Sequence, residues 1–187
     1  KLDGCYAGFA DEPVFIALAE TIRQTGVPRK PLADLIAAFR MDVTQHRFAH
    51  FDDLLFYCRH SANPVGHIVL HIFGDVSARS LALSDSICTG LQLANFWQDI
   101  RIDWQRGRIY VPLEDFERFG YTEDDLRNGR VNEQFRSMIR FQVTRTREFF
   151  RAGRPLIREA HNALRLELAM TWHGGMMILN KIEGAGF

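Results

Sequence analysis

Apolar residues along this chain recur every three to four positions in one stretch after another, and almost nowhere alternate strictly with polar ones. That rhythm predicts helices and no sheet. Asp11 caps a first helix that has Pro13 in its first turn and Ala17, Leu18 and Ile22 on its apolar face; Gly26 and Pro28 stop it. A second helix is expected from about Pro31 through Phe39. A third begins near Asp52-Asp53 and carries Leu54, Leu55 and Tyr57. Asn63-Pro64 must bend or break it, and a short apolar helix from Val65 to Phe73 ends at Gly74. From Ala78 to Asp103 only Gly90 interrupts the pattern, which predicts one helix of roughly 25 residues, about 38 Å long. Pro112 opens a short helix closed by Gly120, and Thr122 to Asp125 reads as a capping box for another. Two long helices, Asn132 to Ala152 and Pro155 to about Trp172, precede a last turn from Met176 to Ile182. No repeat, linker or low-complexity tract divides the chain, so residues 1–187 read as one all-α domain.

The long helix is apolar nearly all round, with Ile87, Leu91, Leu93, Ala94, Phe96, Trp97 and Ile100 covering most of it, which predicts a core position. Gln92, Asn95, Asp99 and Asp103 break that pattern. Their spacings of three, four and four stack them on one face, with Cys88 a turn earlier. Carboxylates buried without a partner cost several kcal/mol each, so the stripe calls for a cation. Magnesium fits best: it takes oxygen ligands and binds through one or two carboxylates plus substrate phosphates. Asp99, Asp103 and the Asn95 carbonyl are the expected metal ligands, with Gln92 beside them. Arg106 and Arg108 follow at once, flanking Gly107, and are placed to hold diphosphate oxygens. A plain solvent loop is the alternative for that pair.

Composition narrows the classes. Lys+Arg and Asp+Glu both number 23, and a zero net charge argues against nucleic acid. The three cysteines, Cys5, Cys58 and Cys88, are far apart, which fits a reducing cytoplasm and no disulfide framework. No apolar run reaches the length of a spanning helix. The 15 phenylalanines serve either a core or an apolar pocket. His46/His50 and His67/His71 have zinc spacing but lack the rest of a ligand set. No glycine-rich nucleotide loop occurs. Arg136, Arg140, Arg147, Arg151 and Arg158 form a basic stripe that meets either water or the anionic face of a membrane.

Gln92-Leu93-Ala94-Asn95-Phe96-Trp97-Gln98-Asp99-Ile100-Arg101-Ile102-Asp103, with Arg106-Gly107-Arg108-Ile109-Tyr110-Val111-Pro112 after it, resembles the second aspartate-rich motif of the squalene/phytoene synthase family. Upstream, Tyr57-Cys58-Arg59-His60-Ser61-Ala62-Asn63-Pro64-Val65-Gly66 is similar to the family's tyrosine-to-glycine segment, in the form seen in the hydroxysqualene synthases of the hopanoid pathway. The resemblance implies an all-α isoprenoid-synthase bundle around an apolar cavity. It implies that Asn95, Asp99 and Asp103 bind magnesium, with Gln92 lining the cavity. It places Tyr57 and Arg59 near an isoprenoid diphosphate, with Val65 and Gly66 shaping a bent cavity helix. It also implies a first aspartate-rich motif. None with the right spacing occurs here, so the chain is expected to lack the family's N-terminal helices and the other half of the metal site. Gly175 stands where related synthases have a tyrosine. The implied reaction is conversion of presqualene diphosphate to hydroxysqualene. The alternatives are head-to-head condensation of farnesyl diphosphate and a non-catalytic member of the same fold. The expected location is cytoplasmic, with peripheral membrane contact open.

Overall fold

A computed structural model describes residues 1–161 and 163–187 in full, and among them there is helix and loop only. In chain order the helices are α1 (Leu2–Ala7), α2 (Pro13–Thr25), α3 (Arg29–Thr44), α4 (Phe51–Ser61), α5 (Asn63–Phe73) and α6 (Ala78–Gln98). After them come α7 (Ile100–Gln105), α8 (Leu113–Phe119), α9 (Glu123–Arg127), α10 (Glu133–Gly153), α11 (Leu156–Glu159) and α12 (Asn162–Gly184). Most punctuation follows the sequence rules. Gly26, Gly74 and Gly120 end their helices in the left-handed conformation that glycine adopts without steric cost. Thr122 and Asp125 close a reciprocal capping box, and Asn132 caps α10.

Four expectations need correction. The cap of α2 is Glu12 rather than Asp11. The second helix runs well past Phe39, to Thr44. The long helix does not run unbroken to Asp103: Asp99 leaves helical geometry (φ −101°, ψ 12°) and separates α6 from α7. The C-terminal pair is divided elsewhere too. The chain breaks around Ala160, and α12 then runs straight through Gly174 and Gly175. The expectation was a helix ending near Trp172 and a separate last turn from Met176. Gly175 instead lies under the Phe150 ring, and this packing holds the helix through a locally unfavourable residue.

Helix α6 is the centre of the bundle. It packs on α5, α10 and α12. Its buried residues include Ile87, Thr89, Leu93, Ala94, Phe96 and Trp97. The contacts are close because glycine occupies the crossing points. A methyl group on Gly66 of α5 would overlap Ser84 and Cys88, and one on Gly153 of α10 would lie 2.8 Å from the Leu83 carbonyl. Gly90 of α6 and Gly175 of α12 both face the Phe150 ring, which is fully buried. Polar links add direction. The Trp97 indole donates to Thr146 (2.8 Å), and the Trp172 indole donates to the Phe150 carbonyl (2.8 Å).

The arginine stripe has a use that composition did not suggest. Arg136 donates to the Gly186 carbonyl, Arg140 lies over the Phe187 ring, and Arg147 pairs with Glu183 (2.5 Å). These residues latch α10 to the end of α12. Arg151 pairs with Glu148 along its own helix. Among the described residues, no helix is long and apolar enough to cross a membrane.

The glycine packing gives a stability test. An ideal methyl group at Gly175 falls 2.7 Å from Phe150 Cε1 and 2.9 Å from Leu91 Cδ2. Gly175→Ala is therefore expected to lower unfolding free energy by about 1–3 kcal/mol in a urea titration, as overpacking does. Phe150→Leu in the same chain should recover part of that loss. A Gly175→Ala variant as stable as the parent contradicts the close approach.

Candidate functional site

The polar stripe lies on the side of α6 and α7 away from the core. Asn95 is exposed, and Gln92, Asp99 and Asp103 are half-buried. The helices described here leave this face of α6 and α7 uncovered. The kink at Asp99 leaves it intact. Asp99 N donates to the Asn95 carbonyl (3.0 Å) and Asp103 N donates to the Asp99 carbonyl (2.8 Å), so successive turns stay in register. The Asn95 amide nitrogen donates to Asp99 Oδ2 (3.1 Å), which leaves its carbonyl oxygen free. Cys88, one turn before Gln92 on the same continuous helix, is covered by α5. It packs where Gly66 has no side chain, and burial pushes its thiol up to about 11.

Asp103 is the electrostatically loaded member. Partial burial and the nearby Asp99 carboxylate raise its pKa above the usual carboxylate value, while Arg106 and Arg108 pull it down less strongly. Two like charges on adjacent turns, with cations acting only from a distance, suit a hard divalent ion. The donor set of two carboxylates and an amide oxygen has the right chemistry for magnesium. It is short in number, since no group of three or more histidine, cysteine or acidic residues among the described residues could hold a metal by itself.

Beside Asp103 a narrow crevice is lined by Phe96, Arg108, Tyr110, Phe116 and Met138. The loop that forms it is pinned from below. Ile109 N donates to the His46 carbonyl (3.0 Å), and Leu113 N donates to the Phe48 carbonyl (2.9 Å). Tyr110 stacks on Phe96 at 3.8 Å, and Tyr57 and Phe48 complete an aromatic group around them. Tyr57 is buried, and its hydroxyl donates to Asp42 Oδ1 (2.8 Å). Arg108 donates to the Tyr110 hydroxyl and to the Asp42 carbonyl, each at 3.3 Å.

The structure therefore brings Asn95, Asp99, Asp103 and Arg108 together, with Tyr57 behind them and Gln92 a turn away along α6. Arg106 stays exposed on the loop. Arg59 is elsewhere: it lies over the Phe56 ring and lines a different depression with Asn63, Asp85 and Phe149. Val65 points outward at 49% exposure, and Gly66 is a helix-crossing point. The bend between α4 and α5 falls at Ala62, one residue before Asn63. The two histidine pairs do not converge on a metal. His67 bonds Asp85 (2.7 Å) and His50 bonds Glu114 (2.9 Å). Asp42 was missed in sequence because its partners are 15 and 66 residues away.

An all-helical bundle whose central helix and its continuation carry an amide and two carboxylates on one face is of the isoprenoid-synthase type. The squalene/phytoene synthase family profile matches residues 1–187, and the chain belongs to that family. It is 36% identical over 199 aligned residues to a phytoene synthase of Arthrospira platensis, covering 98% of this chain and 63% of that protein. It is 33% identical to a hydroxysqualene synthase of Rhodopseudomonas palustris over 79% of this chain and 51% of that protein. The crystal structure of squalene synthase HpnC from Alicyclobacillus acidocaldarius superposes with a TM-score of 0.97 at 42% identity, covering 99% of this chain and 70% of that one. The chain thus spans less than two-thirds of the length of the two sequence relatives.

The coupling between the two carboxylates is directly measurable. Because the Asp99 charge raises Asp103, Asp99→Asn is expected to lower the Asp103 titration midpoint toward the ordinary carboxylate range. Carboxyl-carbon NMR through a pH series reads this. An unmoved or higher midpoint contradicts the geometry.

Proposed function

We propose that this chain carries the second-aspartate-motif half of a magnesium-dependent isoprenoid synthase that converts presqualene diphosphate to hydroxysqualene. The observation that carries the reading is the clustered set of Asn95, Asp99 and Asp103 on one face beside Arg108. The Ser61-Ala62-Asn63-Pro64 segment and the likeness to a hydroxysqualene synthase favour this branch. Asn95, Asp99 and Asp103 would hold the metal, and further carboxylates outside these 187 residues would complete its shell. Bound magnesium would neutralise diphosphate charge and make it a better leaving group. Arg108, and Arg106 from the exposed loop, would take up diphosphate oxygens. Gln92 would line the cavity next to them.

Loss of diphosphate leaves a carbocation on the substrate. The packed rings of Phe96, Tyr110, Phe48 and Tyr57 would give that cation an apolar wall beside the carboxylates. Water adding to a tertiary carbon, with loss of a proton, gives the alcohol. Arg59 and Val65 lie away from the carboxylates and would touch only the remote end of a long substrate. Arg151, Arg154 and Arg158, which share one surface depression, would serve any peripheral contact with an anionic membrane. The likeness to a phytoene synthase favours a second reading, head-to-head condensation of two allylic diphosphates on the same carboxylates.

Full-length protein supplied with magnesium and each diphosphate in turn separates the two. Hydroxysqualene from presqualene diphosphate is the expected product. Asp99→Asn is expected to cut turnover roughly 100-fold or more, in line with the loss of a charge-stabilising group. Its melting temperature should hold or rise, because the substitution relieves repulsion with Asp103. No turnover of either substrate by the folded full-length protein would sink both enzyme readings.

A further inference from the structure

Asp42 sits where a helix does not want it. It lies in the last turn of α3, which has no basic residue to offset the negative end of the helix dipole. An acid there faces the partial negative charge of the last carbonyls of the helix. A residue that breaks a local rule has its reason in tertiary structure. Here the reason is visible. One carboxylate oxygen accepts the Tyr57 hydroxyl at 2.8 Å, and the main-chain carbonyl accepts Arg108 at 3.3 Å. Those two partners come from α4 and from the loop after α7, and that loop and the start of α8 are tied to the segment after α3 by three further main-chain bonds. The end of α3 is therefore the fixed point from which the tyrosine and the arginine beside Asp103 are both held.

The bond to Asp42 also decides what Tyr57 can do. A phenol has one proton to donate. Tyr57 is buried among Phe48, Phe96 and Tyr110, and burial together with the Asp42 bond pushes its pKa far up. It stays a neutral phenol whose proton is committed. Any other group that reaches its oxygen meets lone pairs, made more electron-rich by the carboxylate on the far side of the proton.

We propose that Asp42 is a positioning residue of this site: by taking the Tyr57 proton it presents the Tyr57 oxygen as an acceptor toward a cation or an attacking water, and its carbonyl holds Arg108 beside Asp103. The inference rests on the diphosphate-ionisation reading given above. It assigns Tyr57 a role in stabilising positive charge or orienting water, and rules it out as the acid that protonates departing diphosphate.

The test uses the full-length protein with presqualene diphosphate and magnesium. Tyr57→Phe and Asp42→Leu are each expected to lose about tenfold or more in kcat, the scale of one buried hydrogen bond, with KM within about threefold. Asp42→Asn keeps an oxygen acceptor and should stay within about threefold of the parent in kcat. The double variant Tyr57→Phe/Asp42→Leu should lose no more than the worse single one. Full kcat in Asp42→Leu, an Asp42→Asn as impaired as Asp42→Leu, or additive losses in the double variant would each overturn the proposal. Should Asp42→Leu not fold, Asp42→Ala replaces it with the same expected outcomes. A readout independent of turnover separates this inference from the function itself. Melting temperatures of the same four chains should show non-additive losses even if no diphosphate is turned over, and additive ones overturn the Asp42–Tyr57 link.

Discussion

Everything in this fold depends on how α6 is clasped. Three helices approach it at glycines, and at each crossing a neighbouring side chain fills the space a methyl group would need: Ser84 and Cys88 over Gly66, Ile87 under Gly153, Phe150 between Gly90 and Gly175. Such contacts leave little freedom for a helix to rotate about its axis, because close-packed interiors resist sub-ångström shifts. The Trp97–Thr146 bond fixes the same rotation by a directional link. With the apolar arc committed to α5, α10 and α12, the remaining arc is left free of these three helices. That arc carries Gln92, Asn95, Asp99 and Asp103.

The electrostatics of the site follow from that placement. Asp103 is partly buried and lies close enough to the Asp99 carboxylate for that charge to raise its pKa. Other arginines are already paired, Arg145 with the buried Asp115 at 2.6 Å and Arg47 with Glu123 at 3.1 Å. Arg108 is held by Tyr110 and by the end of α3. The carboxylates are thus left as an oxygen surface, with one positioned arginine at its edge. Behind it the stacked pair of Phe96 and Tyr110 forms an apolar wall.

Helix identity and most helix ends were legible from residue types alone. Gly26, Gly74, Gly120, Thr122 and Asn132 act locally, through backbone conformation or a single side-chain cap, and need no distant partner. The misread ends are those where a distant contact overrides the local rule. The helix expected to end near Trp172 runs on through Gly174 and Gly175, where Gly175 packs under the Phe150 ring, 25 residues earlier in the chain. Asp99 reads as helix interior, but the chain bends there. The arginine stripe reads as a solvated or membrane-facing surface, and three of its members instead bind the end of α12.

By itself the sequence determined the helical class, the family and the stripe of Gln92, Asn95, Asp99 and Asp103, because helical periodicity places residues three and four apart on one face whatever surrounds them. Tertiary structure alone decided which way that face looks, where it kinks, and which other side chains join it. Arg59 and Arg108 are equally plausible in sequence, and only the pinning of the second loop to the end of α3 brings one of them to Asp103. Asp42 had no signal in the chain at all, since its meaning lies in a tyrosine and an arginine that folding delivers from separate elements.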